Sequence, residues 1–248
     1  MIIDCHGHYT TVPDNIKEWR SQQLKLVEEK NFQSTRHKLV ITDDEIRESI
    51  ENHQLKLQKE RGTDKTVFSP RAVGMGHHLG SRETSMEWTQ LSNDMVHRVV
   101  QLYPQNFIGV CALPQYPGVE PKNCIPELER AVNDLGFIGC NLNPDPSGAM
   151  WTDPPLTDHW WYPLYEKLCE LNVPAMIHVS GSCNPNFHHT GAHYIAADTT
   201  AFMQLILGDL FSDFPELKFV IPHGGGAVPY HCLLYTSDAA DEGLGVDL

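Results

Sequence analysis

The chain has 248 residues, of which 41% are hydrophobic, and a formal net charge of -14. This length fits one large domain or two small ones, with ample apolar side chains for a core. The negative charge and the lack of any basic run argue against a nucleic-acid partner, because a phosphate-binding surface needs clustered Lys and Arg.

The sequence lacks the usual signals for secretion, membrane insertion and disulfide pairing. Acidic Asp4 follows the N-terminus almost at once, without a basic n-region, and no apolar run approaches the length of a membrane span. Seven cysteines, an odd number without paired spacing, are typical of a reducing compartment. We therefore expect a cytoplasmic protein with no membrane partner.

The first predicted strand, residues 2–5, leads directly into two histidines separated by one residue. Side chains two positions apart along a strand point to the same face, so His6 and His8 can reach one metal ion. Ile3 and Cys5 are then expected to pack on the opposite face. The pair predicts a metal site at this strand.

Residues 13–41 separate the first strand from the next helix. They contain a helical stretch with Trp19, and we interpret the segment as an insertion near the mouth of the fold. A solvated segment without a functional role fits the loop length equally well. Thr42 and Glu45 then form a capping box, which predicts a helix that continues toward Glu60.

The second predicted strand, residues 66–69, leads into a long loop with cationic and imidazole side chains. Arg71 could bind a carboxylate through both prongs of its guanidinium group. An exposed ion pair is the alternative for this residue. We expect at most one of His77 and His78 to face the ligand pocket.

Four more strand-like runs follow, each preceded by a helical pattern. The predicted strands are residues 107–113, 137–143, 173–179 and 217–221, and the predicted helices are residues 88–102, 125–135, 162–171 and 198–211. Strands separated by helices imply parallel pairing with right-handed crossovers.

Polar side chains stand at the carboxyl ends of the last three predicted strands. Asn143 ends the fourth, His178 lies in the fifth and is followed by Ser180 and later by Tyr194, and His223 comes directly after the sixth. In a parallel barrel the carboxyl ends of all strands meet at one mouth, where histidines from different strands can share an ion.

These elements predict an α/β fold of the (β/α)8, TIM-like type, with about six of the eight strands present. A doubly wound open sheet is the competitor. It is the weaker interpretation because no glycine-rich phosphate loop follows the first strand.

Five segments of the chain are distinctive in their loops as well as in their histidines. They are residues 4–9 (DCHGHY), 68–72 (FSPRA), 141–148 (NLNPDPSG), 175–180 (AMIHVS) and 220–231 (VIPHGGGAVPYH). Together they resemble the 4-oxalomesaconate hydratases of the amidohydrolase superfamily, in the branch that also holds the aminocarboxymuconate-semialdehyde decarboxylases. The resemblance extends from residue 1 to about residue 231.

The resemblance implies a zinc-dependent hydratase, with another divalent ion as an alternative, in the breakdown of lignin-derived aromatics by protocatechuate 4,5-cleavage. It would add water to the conjugated double bond of 4-oxalomesaconate and give 4-carboxy-4-hydroxy-2-oxoadipate. His6, His8 and His178 would bind the metal, and His223 beside it is a candidate acid or base. The metal would either lower the pKa of the attacking water or polarise a substrate oxygen, and both remain open.

The implied substrate is a small tricarboxylic keto acid. Its carboxylates would be bound by Arg71, Ser180 and Tyr194, with His77 and Asn143 as further candidate contacts. A metal-dependent decarboxylase or hydrolase of the same superfamily is the alternative function, because one fold hosts several chemistries. An inactive metal-binding fragment is a third hypothesis.

Residues 232–248 depart abruptly from the resemblance, which implies two further strands and an acidic residue at the metal beyond His231. We interpret this segment as foreign to the barrel unit of residues 1–231. A barrel with about six of eight strands keeps unpaired edges, so we expect low stability. A homo-oligomer is also possible.

Overall fold

A computed structural model describes residues 1–231 of the chain, and the predicted foreign segment 232–248 lies outside these residues. Among the described residues, no helix is both long enough and apolar enough to cross a membrane.

Strands and helices alternate along the described chain, as the sequence predicts. The strands are β1 (Ile3–Tyr9), β2 (Lys65–Pro70), β3 (Phe107–Gly109), β4 (Cys111–Ala112), β5 (Cys140–Leu142), β6 (Ala175–Ile177) and β7 (Phe219–Val220). The α-helices are α1 (Asp14–Glu28), α2 (Asp43–Ile50), α3 (Lys56–Arg61), α4 (Arg82–Leu102), α5 (Ile125–Asn133), α6 (Tyr162–Leu171), α7 (Gly191–Leu207) and α8 (Leu210–Asp213). A π-helical turn, Glu51–Leu55, joins α2 to α3, and 3-10 turns occur at Arg36–Lys38, Ala72–Gly74, Pro121–Cys124, His159–Trp161 and Val228–Tyr230.

All strand pairs are parallel, and their order follows the chain. β1, β2 and β3 form one sheet, and β4 to β7 form a second. The predicted strand at 107–113 is divided at Val110, whose N–H donates to Phe68 O at 2.9 Å, while Cys111 N donates to Gly139 O at 3.1 Å. The chain therefore changes partner from β2 to β5 within one strand and bends the array.

The architecture is a TIM-barrel-like α/β fold that is not closed within residues 1–231. Strand order without reversal is what a barrel requires, whereas a doubly wound sheet reverses its order at a switch point. The barrel interpretation is therefore confirmed over the open-sheet competitor.

The core lies between the central strands and the helices that follow them. Trp88 of α4, Leu128 of α5 and Leu164 of α6 are buried against strand side chains in one apolar cluster. The fully buried members on or next to the strands are Phe68, Phe107, Leu113, Leu142 and Ile177. Burial of this apolar surface is the main force that holds the helices to the sheet.

The expected packing of Ile3 and Cys5 is wrong. Ile3 is 49% exposed and Cys5 is also exposed. The reason is positional, because β1 pairs with β2 alone among the described strands and so lies at an edge of the array.

The predicted helices are present in the structure, but some of them begin at other residues than predicted. The capping box is confirmed: Thr42 N donates to Glu45 Oε2 at 2.7 Å, and Glu45 N donates to Thr42 Oγ1 at 3.3 Å. The predicted helix 198–211 is wrong in its bounds, since α7 begins at Gly191 and ends at Leu207. Tyr194 therefore lies on a helix rather than in a loop.

Candidate active site

The structure brings His6, His8 and His178 together, and we refer to these three residues as the histidine cluster. β1 carries the first two, and His178 directly follows β6. One nitrogen from each ring lies within 4.8 Å of the other two. His8 Nε2 and His178 Nε2 are 3.0 Å apart.

Hydrogen bonds on the outer nitrogens set the protonation of two of these rings. The Ser69 hydroxyl lies 2.7 Å from His8 Nδ1, accepts from Asn141 Nδ2 at 3.0 Å and can donate its one proton to a backbone carbonyl of β1 at 3.2 Å. His8 Nδ1–H is then the donor to Ser69. His178 Nδ1 lies 2.9 Å from Val179 O, which can only accept. Both Nε2 atoms therefore present lone pairs to the centre of the cluster.

The histidine cluster fits a divalent metal ion. Two lone pairs 3.0 Å apart repel each other unless a cation lies between them, and two ligands of one ion at about 2.1 Å lie roughly 3 Å apart. His6 Nε2 is buried without a hydrogen-bond partner among the described residues. Burial lowers the pKa of His8 to about 3, with His178 and His6 adding to the effect, and burial lowers that of His178 to about 4. These imidazoles are neutral near pH 7, as metal ligands must be.

His223 lies beside the histidine cluster and is fixed by an acidic residue that the sequence analysis missed. Its ring centroid is 5.1 Å from that of His6, and its Nδ1 lies 2.6 Å from Asp198 Oδ2. Asp198 is 1% exposed, and burial raises its pKa. Asp198 comes one turn after Tyr194 on α7, and the Tyr194 ring stacks on His223 with a 6.0 Å centroid distance. An acidic residue four positions after a candidate tyrosine was the signal available.

Asn143 contacts both His77 and Ser180. Asn143 Nδ2 lies 2.9 Å from His77 Nδ1 and 3.4 Å from Ser180 Oγ, and all three side chains are buried. Burial lowers the pKa of His77 to about 3. These residues line a small cavity together with His178 and Pro70. Their role as substrate contacts stays a prediction.

The loop after β5 is hydrogen-bonded to a buried carboxylate within it. The buried carboxylate of Asp145 accepts from Ala149 N at 2.7 Å, Ser147 N at 3.1 Å and Trp151 N at 3.2 Å. One side chain thus holds three backbone N–H groups of the loop.

Arg71 lines a separate cavity of about 280 Å³ at the carboxyl ends of β1 and β2. The alternative for Arg71 was an exposed ion pair, but no carboxylate among residues 1–231 lies within 4 Å of its guanidinium group. Burial raises the pKa of Tyr194, and the positive charge of Arg71 opposes that rise.

Comparison with known proteins identifies relatives that share both fold and sequence. The family model described as Amidohydrolase matches residues 3–242. Over 231 residues the chain is 60% identical to the 2-keto-4-carboxy-3-hexenedioate hydratase of Sphingobium sp. strain SYK-6, covering 93% of this chain and 67% of that protein. The predicted resemblance to hydratases is confirmed.

Two solved structures illustrate the range of these relatives. The crystal structure of 4-oxalomesaconate hydratase from Rhodopseudomonas palustris matches with a TM-score of 0.86 and 54% identity, over 97% of this chain and 68% of that one. The 5-carboxyvanillate decarboxylase of Novosphingobium aromaticivorans, complexed with manganese, matches with a TM-score of 0.71 and 19% identity, over 100% of this chain and 72% of that one. The second likeness is one of fold alone.

Proposed function

The chain belongs to the amidohydrolase family, and we propose that within it the protein is a metal-dependent hydratase of a tricarboxylic 2-oxo-3-enoate, 4-oxalomesaconate. Water would add its oxygen to the far carbon of the conjugated double bond and a proton to the carbon next to the ketone. The product is 4-carboxy-4-hydroxy-2-oxoadipate, and no carbon dioxide is released.

The observation that carries this proposal is the histidine cluster with the His223–Asp198 pair beside it, in a chain 60% identical to a hydratase. A divalent ion bound by His6, His8 and His178 would supply Lewis-acid chemistry, either on water or on a substrate oxygen. A decarboxylase of the same superfamily is the alternative, and the 60% identity to a hydratase favours hydration over it.

The residues around the histidine cluster have separate proposed roles in proton transfer and substrate binding. Asp198 accepts from His223 Nδ1–H and so leaves His223 Nε2 to take up or release a proton. Arg71 carries a guanidinium with no carboxylate partner among the described residues and is suited to a substrate carboxylate. The Tyr194 hydroxyl makes no hydrogen bond within residues 1–231 and is a second candidate donor to substrate.

Two finer assignments belong to the same proposal. Zinc is the proposed ion because three imidazoles with an open position are typical of catalytic zinc. A cytoplasmic location is proposed from the cysteine usage, and the six cysteines of the described part of the chain carry free thiols.

The test is an assay of the zinc-reconstituted protein with 4-oxalomesaconate. We expect the ultraviolet absorbance of the conjugated substrate to fall while no carbon dioxide appears, and mass spectrometry to show the gain of one water. Release of carbon dioxide in step with the absorbance change would instead identify a decarboxylase. The matched control is the same protein after dialysis against a chelator, which should leave the absorbance unchanged.

A further inference from the structure

The cavity next to the histidine cluster is lined by three cationic side chains, Lys17, Arg20 and Arg71, and we refer to it as the arginine recess. It lies among α1, α4 and the ends of β1 and β2, and its other lining residues are mostly apolar. No acidic residue lines it, although the chain has a net charge of -14. A positive recess in so acidic a protein points to an anionic ligand.

Arg20 is the unusual member of the arginine recess. Its guanidinium carbon lies 3.1 Å from the centroid of the Trp88 ring. Burial lowers the pKa of Arg20 to about 9. Elsewhere, Arg98 and Arg130 bind carboxylates at 2.5 and 2.8 Å, but no carboxylate or other hydrogen-bond acceptor within residues 1–231 contacts Arg20. A half-buried guanidinium that binds no acceptor of the described chain is available to the carboxylate of a ligand.

Two neighbours of Arg20 support a ligand rather than a packing role. The indole N–H of Trp88 is buried and has no acceptor among the described residues, so a second donor at the recess is unused. Gly76 leaves room for the guanidinium, because a Cβ at that position would lie 3.2 Å from Arg20 Nη2 and 2.9 Å from Leu79. Arg20 is thus held between Trp88 and Gly76, and neither neighbour gives its guanidinium an acceptor.

The arginine recess adjoins the histidine cluster. Tyr9 and Thr10 of its wall directly follow His8, and Pro70 lines both the recess and the small cavity that contacts His178. The recess is therefore next to His8 along the chain and shares the lining residue Pro70 with the cavity at His178.

We infer that Arg20, stacked on Trp88, binds one carboxylate of the substrate together with Arg71, and thereby selects polycarboxylic over monocarboxylic substrates. This inference rests on the proposed function, because it assumes that the substrate binds at the histidine cluster. Arg20 lies in the segment that interrupts the first crossover, so that segment has a function in ligand selection. Arg71 comes from the loop after β2, so two guanidinium groups from different elements line the recess, and each can bind a carboxylate through paired hydrogen bonds.

The test is calorimetric titration of the metal-loaded protein with propane-1,2,3-tricarboxylate, which cannot be hydrated. We expect Arg20→Met to weaken binding of this probe roughly tenfold to hundredfold, the usual effect of losing a charge-assisted pair of hydrogen bonds. Arg20→Lys keeps the charge but loses the fork, so its loss should be smaller but measurable. The matched control is Arg47→Met, because Arg47 also lies over an aromatic ring, 5.8 Å from Tyr103, but outside the arginine recess.

Thermal unfolding without ligand separates binding from packing. We expect Arg20→Met to keep or raise Tm, because it removes an unpaired, partly buried charge. Probe affinity within twofold of the parent in both Arg20 variants, or no binding of the probe by the parent, would overturn the inference. The titration measures binding and does not depend on turnover. If the probe binds in an Arg20-dependent way but the separate assay shows no hydration of 4-oxalomesaconate, only the proposed function is contradicted.

Discussion

In the histidine cluster, the outer nitrogens of His8 and His178 are fixed by Ser69 and a backbone carbonyl, and their inner lone pairs converge. In the arginine recess, Arg20 and Arg71 have no acceptor within the described chain and present donors instead. The first arrangement presents lone pairs to a cation, and the second presents hydrogen-bond donors to an anion. Adjacent sites with these opposite needs suit a metal-dependent enzyme for a polycarboxylic substrate.

The largest effect should come from removing one ligand of the histidine cluster. His178→Ala leaves two imidazoles, both on β1, and is expected to abolish stoichiometric metal binding and to lower kcat/KM by more than about a thousandfold. Metal content by elemental analysis and the hydration assay check this. The control is His37→Ala, which removes an exposed histidine far from β1 in sequence. Stoichiometric metal in His178→Ala would show that the cluster does not need this residue.

Replacing Ser69, which orients the metal-binding ring of His8, should have a smaller effect. Ser69→Ala removes the acceptor of His8 Nδ1–H, so the ring can rotate or change tautomer. We expect metal affinity to fall roughly tenfold to hundredfold, the usual effect of losing such a partner. Competition with a chromogenic chelator measures it.

Ser21→Ala is the matched control for Ser69→Ala, because its hydroxyl donates only to a carbonyl of its own exposed helix. If Ser69→Ala and Ser21→Ala bind metal equally, the outer hydrogen bond contributes nothing to the cluster. The contrast between a cluster prepared for a cation and a recess prepared for an anion would then rest on the imidazoles alone.

The histidine cluster was predictable from sequence, whereas only Arg71 of the arginine recess was. Period-two alternation places His6 and His8 on one strand face, and strand-end position places His178 at the same mouth. Arg20 and Asp198 lie on helices, and which helix face meets the site depends on tertiary packing. The predicted start of α7 at residue 198 also hid the turn that joins Tyr194 to Asp198. The exposure of Ile3 likewise depends on which strands pair, and local pattern does not encode that.

The smallest expected effect concerns pH and the buried histidine between the two sites. Burial lowers the pKa of His77 to about 3 in the folded protein, against about 6.5 when unfolded. The unfolded chain therefore binds one more proton between these values, so stability is lost as pH falls below about 6.5 and the loss is complete near 3. His77 alone should cost about 1 kcal/mol of unfolding free energy by pH 5.5.

His77→Gln, which keeps a polar side chain near Asn143, should remove this contribution. Urea unfolding of the metal-free parent and variant at pH values of about 7.5, 6.5 and 5.5, which cover the upper part of that window, measures the difference. Subtracting the two curves cancels the histidine cluster, which titrates in both. Parallel curves across the series would mean that the pKa of His77 is the same in the folded and the unfolded chain. Its burial would then carry no pH-dependent cost.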